Sequence, residues 1–325
     1  MDAIRLEEPG RFARVTVPEP SDPGPGEALV GVHRVAICGT DFSGYLGKMP
    51  FFSYPRIPGH ELAVEVLALG AGVTGLSVGQ RCAVEPYLNC GECGACAADR
   101  PNCCEQLTVL GVHVDGGLRS RFVLPAAKLH PADGLTDDQV ALVETLAIGC
   151  HAVGRAAVAS GESVLVVGAG PIGLSVMEFA RIAGASVSAL DVNEARLTFC
   201  RDRLGVQPAV EGTRFAAVFD ATGNARSMSA SVDRVAHAGR LVYVGITTDE
   251  VSFPHRALHA PEMDLLASRN ALPAEFARVI AAIESGALDT RPWITHRTTF
   301  DELIGDFELF SRPETGVVKA VVELG

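Results

Sequence analysis

The chain is short of positive charge: 27 Lys and Arg stand against 39 Asp and Glu, a formal net charge of −12 over 325 residues. A surface of that sign repels phosphate backbones and anionic lipid, which argues against nucleic acid or a membrane surface as partner. No basic stretch leads into an apolar core at the N-terminus, and no uninterrupted apolar run approaches about 18 residues. A cytoplasmic protein without a membrane span is therefore expected. Internal repeats, low-complexity tracts and coiled-coil heptads are also lacking, so neither a solenoid nor a long coiled coil is in prospect. What is present is ordinary globular material, 48% hydrophobic and 20% charged, in a length that suits about two domains.

Cysteine, by contrast, is plentiful. Nine cysteines in a chain of this size do not read as the disulfide framework of a small secreted domain. Four of them, Cys90, Cys93, Cys96 and Cys104, form a C-x2-C-x2-C-x7-C array. Thiolates at this spacing can wrap one Zn2+ tetrahedrally, and the glycines between them let the chain curl tightly enough. With all four positions filled by sulfur the site is closed, so its expected role is structural. A redox C-x-x-C pair and chance clustering are the bland alternatives, and Cys103 beside Cys104 is the competing register; Cys104 is preferred. Cys82, Cys150 and Cys200 sit in apolar surroundings and read as buried small hydrophobes.

A second group is more open. Cys38 precedes Gly59-His60-Glu61 by a little over twenty residues. Sulfur, imidazole and carboxylate together suit zinc. His60 and Glu61 would point to opposite faces of a regular strand, but Pro58-Gly59 announces a bend that lets both reach one ion. Thr40 lies two residues beyond Cys38, and Asp41 can orient a ligand histidine from behind; alone, such an Asp just caps a turn. Around these residues, short Gly-punctuated strands such as Ala28–Val32, Val64–Leu69 and Arg121–Leu124 describe a small barrel-like sheet, interrupted by the cysteine lobe. His33 and Arg34 read as a surface or core-satisfying pair. A helix is expected from Thr136, whose side chain and Gln139 make a capping box, with Asp137 and Asp138 at its positive end. Glu144 stands in the apolar stretch that follows, either facing solvent or meeting a charged partner.

The second domain opens at Glu162. Ser163–Val167 is the apolar β-branched run of a parallel strand buried on both faces. It leads into Gly168-Ala169-Gly170-Pro171-Ile172-Gly173, an apolar helix from Leu174, and a second strand, Ser186–Leu190, that ends in Asp191. Strand, G-x-G-x-x-G, helix and acid in that order are a dinucleotide fingerprint: the pyrophosphate approaches the helix N-terminus, and Asp191 accepts from ribose hydroxyls. A ribose 2′-phosphate would be repelled by that carboxylate, so NAD is preferred over NADP. Arg196, near enough to blunt this preference, otherwise reads as an exposed helix residue. Phe215–Ala221 and Leu241–Ile246 are expected as further strands. Only Val206–Arg214 remain for a third strand and its return, too few for a full crossover, so strand three should be vestigial and its helix deleted. A helix over 274–286, ended by Gly286, and strands at Thr298–Phe300 and Val317–Val322 suggest that the C-terminus returns to the first domain.

Cys38-Gly-Thr-Asp41, Gly59-His-Glu61, the four-cysteine lobe, Glu144 and the fingerprint, in this order, resemble the zinc-dependent medium-chain dehydrogenases, in the polyol (sorbitol-like) and threonine dehydrogenase branch. The resemblance spans nearly the whole chain. It implies an α/β protein with a GroES-like β-rich catalytic domain, residues 1–150 and 287–325, and an inserted doubly wound Rossmann domain, residues 151–286, with the active site in the cleft between. Carried over, Cys38 and His60 match the catalytic zinc ligands, and Glu61 the acid that moves on or off the metal, here expected to wait behind it. Glu144 matches the polyol branch's ligand, direct or through water, Thr40 the hydroxyl that takes the substrate proton, and Asp41 the carboxylate behind the histidine. Ser43 stands where a relay histidine is frequent, so either Ser43 and water pass the proton out or the relay runs elsewhere. Arg269 and Tyr45 are substrate candidates, and Phe42, Phe51 and Phe52 further pocket aromatics. The implied activity is oxidation of a polyol, sugar or sugar-acid secondary alcohol, with two Zn2+ and NAD, in a homodimer or homotetramer joined through Rossmann edges. A simple secondary-alcohol or amino-alcohol dehydrogenase, and a dinucleotide-sensing structural relative, are the alternatives.

Overall fold

The computed structural model describes residues 1–50 and 52–324; Phe51, one of the pocket aromatics considered above, lies outside the described residues. The chain divides into two units, Met1–Glu144 with Leu272–Gly325, and Thr145–Ala271. Among the described residues no helix is long and apolar enough to cross a membrane.

The first unit is built on a seven-stranded sheet whose central member is Glu27–Ile37. Its eleven residues are long enough to serve two neighbours on one edge. The first half pairs antiparallel with Arg121–Pro125, and the second half with the last strand, Lys319–Glu323. The C-terminus thus completes the sheet that the N-terminal segment begins. Ile294–Thr299 lies outside Lys319–Glu323, and Glu61–Leu69, Arg81–Val84 and Leu129–Pro131 follow on the other side. Ile4, Leu6, Val64, Phe122 and Phe307 are each at most 1% exposed in its core. Truncating a buried phenylalanine of this kind costs about 3–5 kcal/mol.

The capping box forms as expected, Thr136 Oγ1 accepting from Gln139 N at 3.3 Å and Gln139 Oε1 from Thr136 N at 2.9 Å. That helix, Asp137–Ala141, is a single turn that stops at Leu142, and a new helix starts at Val143. The break sets Glu144 in the first turn of the second helix rather than along the side of one long one. Asp137 and Asp138 take arginine partners, Arg81 and Arg297, while His33 faces Asp137 at 3.4 Å and Arg34 faces Asp138 at 3.4 Å.

The second unit carries a six-stranded parallel sheet in the order Gln207–Pro208, Ser186–Leu190, Ser163–Val167, Phe215–Asp220, Val235–Tyr243, Asp264–Ala267. This is the doubly wound Rossmann arrangement. Val164, Leu165 and Val166 are wholly buried at its centre, as a strand covered on both faces requires. The third strand has shrunk to two exposed residues paired with Ser188 and Ala189, and no helix separates it from Phe215.

Two boundaries differ from expectation. The helix placed at 274–286 in the Rossmann domain runs Pro273–Glu284 and belongs to the first unit. Its Phe276 stacks on His130 with centroids 4.6 Å apart and meets Tyr87 edge-on at 6.4 Å. An amphipathic pattern tells that a helix packs, not on which sheet. At the other end the division falls at Glu144 rather than at 150. The strand expected at Leu241–Ile246 begins earlier and ends at Tyr243, because Gly245 turns away in close contact with Gly223.

Candidate functional site

Cys38 follows the central strand directly and takes the N-cap position of the short helix Gly39–Tyr45. His60 immediately precedes the next strand, Glu61–Leu69, whose first residue Glu61 is paired in register to Ala36. The bend that brings them together is at Gly59, with φ +99°, where a Cβ would lie 2.9 Å from Val35 Cγ1. Only glycine fits there. One ligand atom each from Cys38, His60 and Glu61 falls within a 4.8 Å circle. His60 is 5% and Glu61 0% exposed.

Asp41 braces the histidine. One carboxylate oxygen accepts from Cys38 N at 2.9 Å, and the other faces His60 Nδ1 at 3.7 Å. Both His60 Nδ1 and that Asp41 oxygen are buried without a hydrogen bond. Burial works against a charged His60, yet Asp41 and the Cys38 sulfur outweigh it and hold its pKa well above the ordinary histidine value. Burial pushes the Asp41 and Glu144 carboxyls up. Cys38, Asp41, Glu61 and Glu144 converge on one neighbourhood in which His60 and Lys319 are the cationic groups. Sulfur, imidazole and carboxylate meeting at one point are a donor set for a borderline-soft cation. Zn2+ fits it.

Two residues of this site escaped the sequence. Lys319, on the last strand, is 1% exposed; its ammonium donates to both oxygens of Glu61 and reaches Ile37 O at 3.4 Å. A lone lysine inside Val317–Val322 was the available signal. Tyr87 is 3% exposed and donates its hydroxyl to Glu144 Oε1. Glu144 is thus buried, and its direct partner is a phenol rather than solvent. It stands outside the 4.8 Å set that Cys38, His60 and Glu61 form. Thr40 and Ser43 lie three residues apart on the helix after Cys38, both half-buried, on one helical face. Tyr45 stacks on Phe12 at 5.6 Å and tilts against Phe307 at 5.2 Å. Phe42 also meets Phe307, and Phe52 meets Tyr54, so these aromatics pack into the core. Arg269 follows the strand Asp264–Ala267 in the second unit with its side chain exposed.

The cysteine lobe is a separate cluster. Cys90, Cys93, Cys96 and Cys104 again fall within 4.8 Å, and none of the nine cysteines is in a disulfide. Backbone N–H groups of Cys93, Cys90 and Gln106 point at sulfur, at 3.4, 3.3 and 3.3 Å. Backbone donors from Glu105 and Cys96 lower the Cys93 thiol to about 6, whereas burial pushes Cys96 up to about 11. Sulfurs held by amide donors are prepared to bind as thiolates. Cys103 turns towards Arg100 Nη2, 3.9 Å away. Burial pushes both Cys82 and Cys200 up to about 12, which makes them inert.

In the second unit the loop Gly168–Gly173 ends the strand Ser163–Val167 and Gly170 caps the helix Pro171–Ile182. Gly168 has φ +93°, and a Cβ on Gly173 would lie 1.7 Å from Gly168 O, so the helix can start this close to the strand only with glycine there. Pro171 takes the first helical position and Ile172 follows it. The N–H groups of Gly170, Ile172 and Gly173, which have no helical partners, and the positive helix end make this an anion cradle. Asp191 accepts from Ala169 N at 2.7 Å and Asn193 N at 2.8 Å, which sets its carboxylate beside the loop. Arg196 Nη1 is 3.7 Å from it and nearly half exposed. The cradle and the acid fit a dinucleotide.

Comparison with known proteins points the same way. The alcohol dehydrogenase GroES-like domain family matches residues 24–134, and the zinc-binding dehydrogenase family matches residues 171–285. The chain is 40% identical to the L-galactonate-5-dehydrogenase of Escherichia coli (strain K12) over 314 residues, 92% of each chain. It is 31% identical to the L-arabinitol 4-dehydrogenase of Hypocrea jecorina over 331 residues, 93% of this chain and 86% of that one. A crystal structure of a short chain alcohol dehydrogenase from E. coli CFT073 complexed with cofactor NADH superposes with a TM-score of 0.93. It has 28% sequence identity and covers 100% of this chain and 99% of the other.

Proposed function

This chain belongs to the zinc-type medium-chain alcohol dehydrogenase superfamily, in its polyol branch, and from that premise we propose that it oxidises a secondary alcohol of a polyol, sugar or sugar acid to the ketone with Zn2+ and NAD. The observation that carries the reading is the meeting of Cys38, His60 and Glu61, with Asp41 behind the histidine. The named activities of its relatives, an L-galactonate and an L-arabinitol dehydrogenase, support a polyhydroxylated substrate over a simple or amino alcohol.

Cys38 and His60 are the proposed metal ligands, with Glu61 and Glu144 as the carboxylates that complete the site directly or through water. Bound there, zinc would lower the pKa of the substrate alcohol, and a nicotinamide would supply the hydride acceptor. Thr40 accepts the hydroxyl proton and, with Ser43 on the same helical face, hands it on to solvent. The substrate thus loses one proton and one hydride and leaves as a ketone. Asp41 keeps the His60 ring oriented, which preserves its basicity as a ligand. Lys319 neutralises Glu61 so that two further carboxylates can stay buried beside it. Cys90, Cys93, Cys96 and Cys104 are proposed to hold a second, structural zinc.

Asp191 is proposed to accept from the adenosine ribose and so to prefer NAD, with Arg196 as the residue that softens the preference. Arg269 remains a substrate candidate through its guanidinium. The edge strand Asp264–Ala267, with Leu265 exposed, supports self-association into a homodimer or homotetramer, because an uncovered sheet edge is a template for pairing. The test combines metal analysis, where about two zinc per chain are expected, with NADH formation across polyols, aldonic acids and 1,2-diols. One zinc per chain and no oxidation of any of them would favour the non-catalytic relative.

A further inference from the structure

Tyr87 joins two parts of the first unit that the reading above keeps apart. Its hydroxyl donates to Glu144 Oε1, and both side chains are buried, at 3% and 6% exposure. The ring is anchored at its own end. Tyr87 and Leu88 pair antiparallel with Val109 and Thr108, and this short ladder closes the base of the cysteine lobe. Cys90 begins only three residues later, its sulfur 3.5 Å from that of Cys104. Phe276 meets the ring edge-on at 6.4 Å. The phenol therefore has little freedom to follow Glu144, and Glu144 is instead held where the phenol is. Consistent with this, Glu144 lies outside the set of ligand atoms that Cys38, His60 and Glu61 bring within 4.8 Å.

We propose that Tyr87 is a positioning residue that withholds Glu144 from direct metal binding, so that a coordination position stays open for the substrate hydroxyl, with the cysteine lobe fixing the ring that does so. A catalytic zinc needs such an open position, whereas four protein ligands close a site. The inference rests on the reading of Cys38 and His60 as metal ligands.

Tyr87→Phe removes one oxygen and leaves the ring on Phe276, so folding is spared. The probe is the metal itself: loss of the ion to a chelator, and the visible absorption of the Co2+-substituted protein. The relevant kinetic phase is the one that His60→Ala abolishes. In Tyr87→Phe, Glu144 closes onto the ion, release slows by about tenfold, a typical effect of a group behind a metal ligand, and the Co2+ spectrum changes. Adding Glu144→Gln to Tyr87→Phe restores the faster release. Two ions in the wild type with an unchanged release rate and spectrum in Tyr87→Phe overturn the proposal alone. A single ion per chain in the wild type overturns it together with the reading on which it rests.

Discussion

Replacing Lys319 by Met should destabilise the metal-free protein far more than the zinc-loaded one. The ammonium is 1% exposed, and Glu61, whose two oxygens it holds, is fully buried. Methionine fills nearly the same volume, so the loss is one of charge rather than of packing. Breaking a buried ion pair by removing one partner leaves an uncompensated charge and costs about 3–5 kcal/mol. For a unit of roughly 200 residues that is about 6–20 °C in melting temperature. A divalent cation bound between Cys38, His60 and Glu61 supplies the missing positive charge, so the drop should shrink when zinc is present. Removing both charges, with Lys319→Met and Glu61→Gln together, should recover most of the loss, since a neutral pair leaves nothing charged in the interior. The assay is thermal unfolding by circular dichroism, with excess zinc and with chelator. A Lys319→Met protein that melts within about 1 °C of wild type in chelator would refute the reasoning, because a buried pair worth so little is not buried.

The remaining predictions concern the other sites. His60→Ala should lose about one zinc per chain and all turnover with its far-ultraviolet spectrum unchanged; retained activity would remove His60 from the metal. Asp191→Ala should narrow the ratio of NAD to NADP efficiency by about tenfold or more, the effect of losing a charge-assisted contact, and an unchanged ratio would take Asp191 off the ribose. Cys104→Ser should release the lobe's metal and lower the melting temperature, whereas Cys103→Ser, whose sulfur faces Arg100, should do neither; the reverse pattern would exchange their roles. Asp138, hydrogen-bonded by Arg297, has its pKa held below the ordinary carboxylate range. A depressed pKa stabilises the fold above the unfolded-state value, and that share disappears as pH falls through the folded one. Arg297→Gln should therefore cost stability at neutral pH and nothing at strongly acid pH, a gap of less than about 1 kcal/mol because the pair is largely solvated; a gap that grew on acidification would contradict it.

Much of the architecture could be read from spacing alone. The shrunken third strand followed from the few residues between Gly205 and Phe215, because the length of a crossover is a hard limit on what the chain can span. The metal-type clusters were legible for the same reason: Cys90 to Cys104 close on themselves within a short loop, and Gly59 forces the turn at His60. Less legible was the fate of amphipathic and lone polar residues. The helix Pro273–Glu284 has an apolar face, yet only the tertiary structure, with Phe276 stacked on His130 and edge-on to Tyr87, assigns it to the first unit. Glu144 had two open readings and took neither in pure form, being buried against a phenol.

The division has a physical cause. Thr136 with Gln139, the thiolates of the lobe, and the glycine loop with Asp191 are contacts between residues close in sequence, where backbone geometry alone restricts the partners. These the amino-acid order determined. Tyr87 and Glu144 are 57 residues apart, and Lys319 and Glu61 are 258 apart. Such pairs form only when the last strand docks beside the first domain's central one and the helix breaks at Leu142. The tertiary structure decided these, since the reason to bury each charge is the partner that folding brings to it.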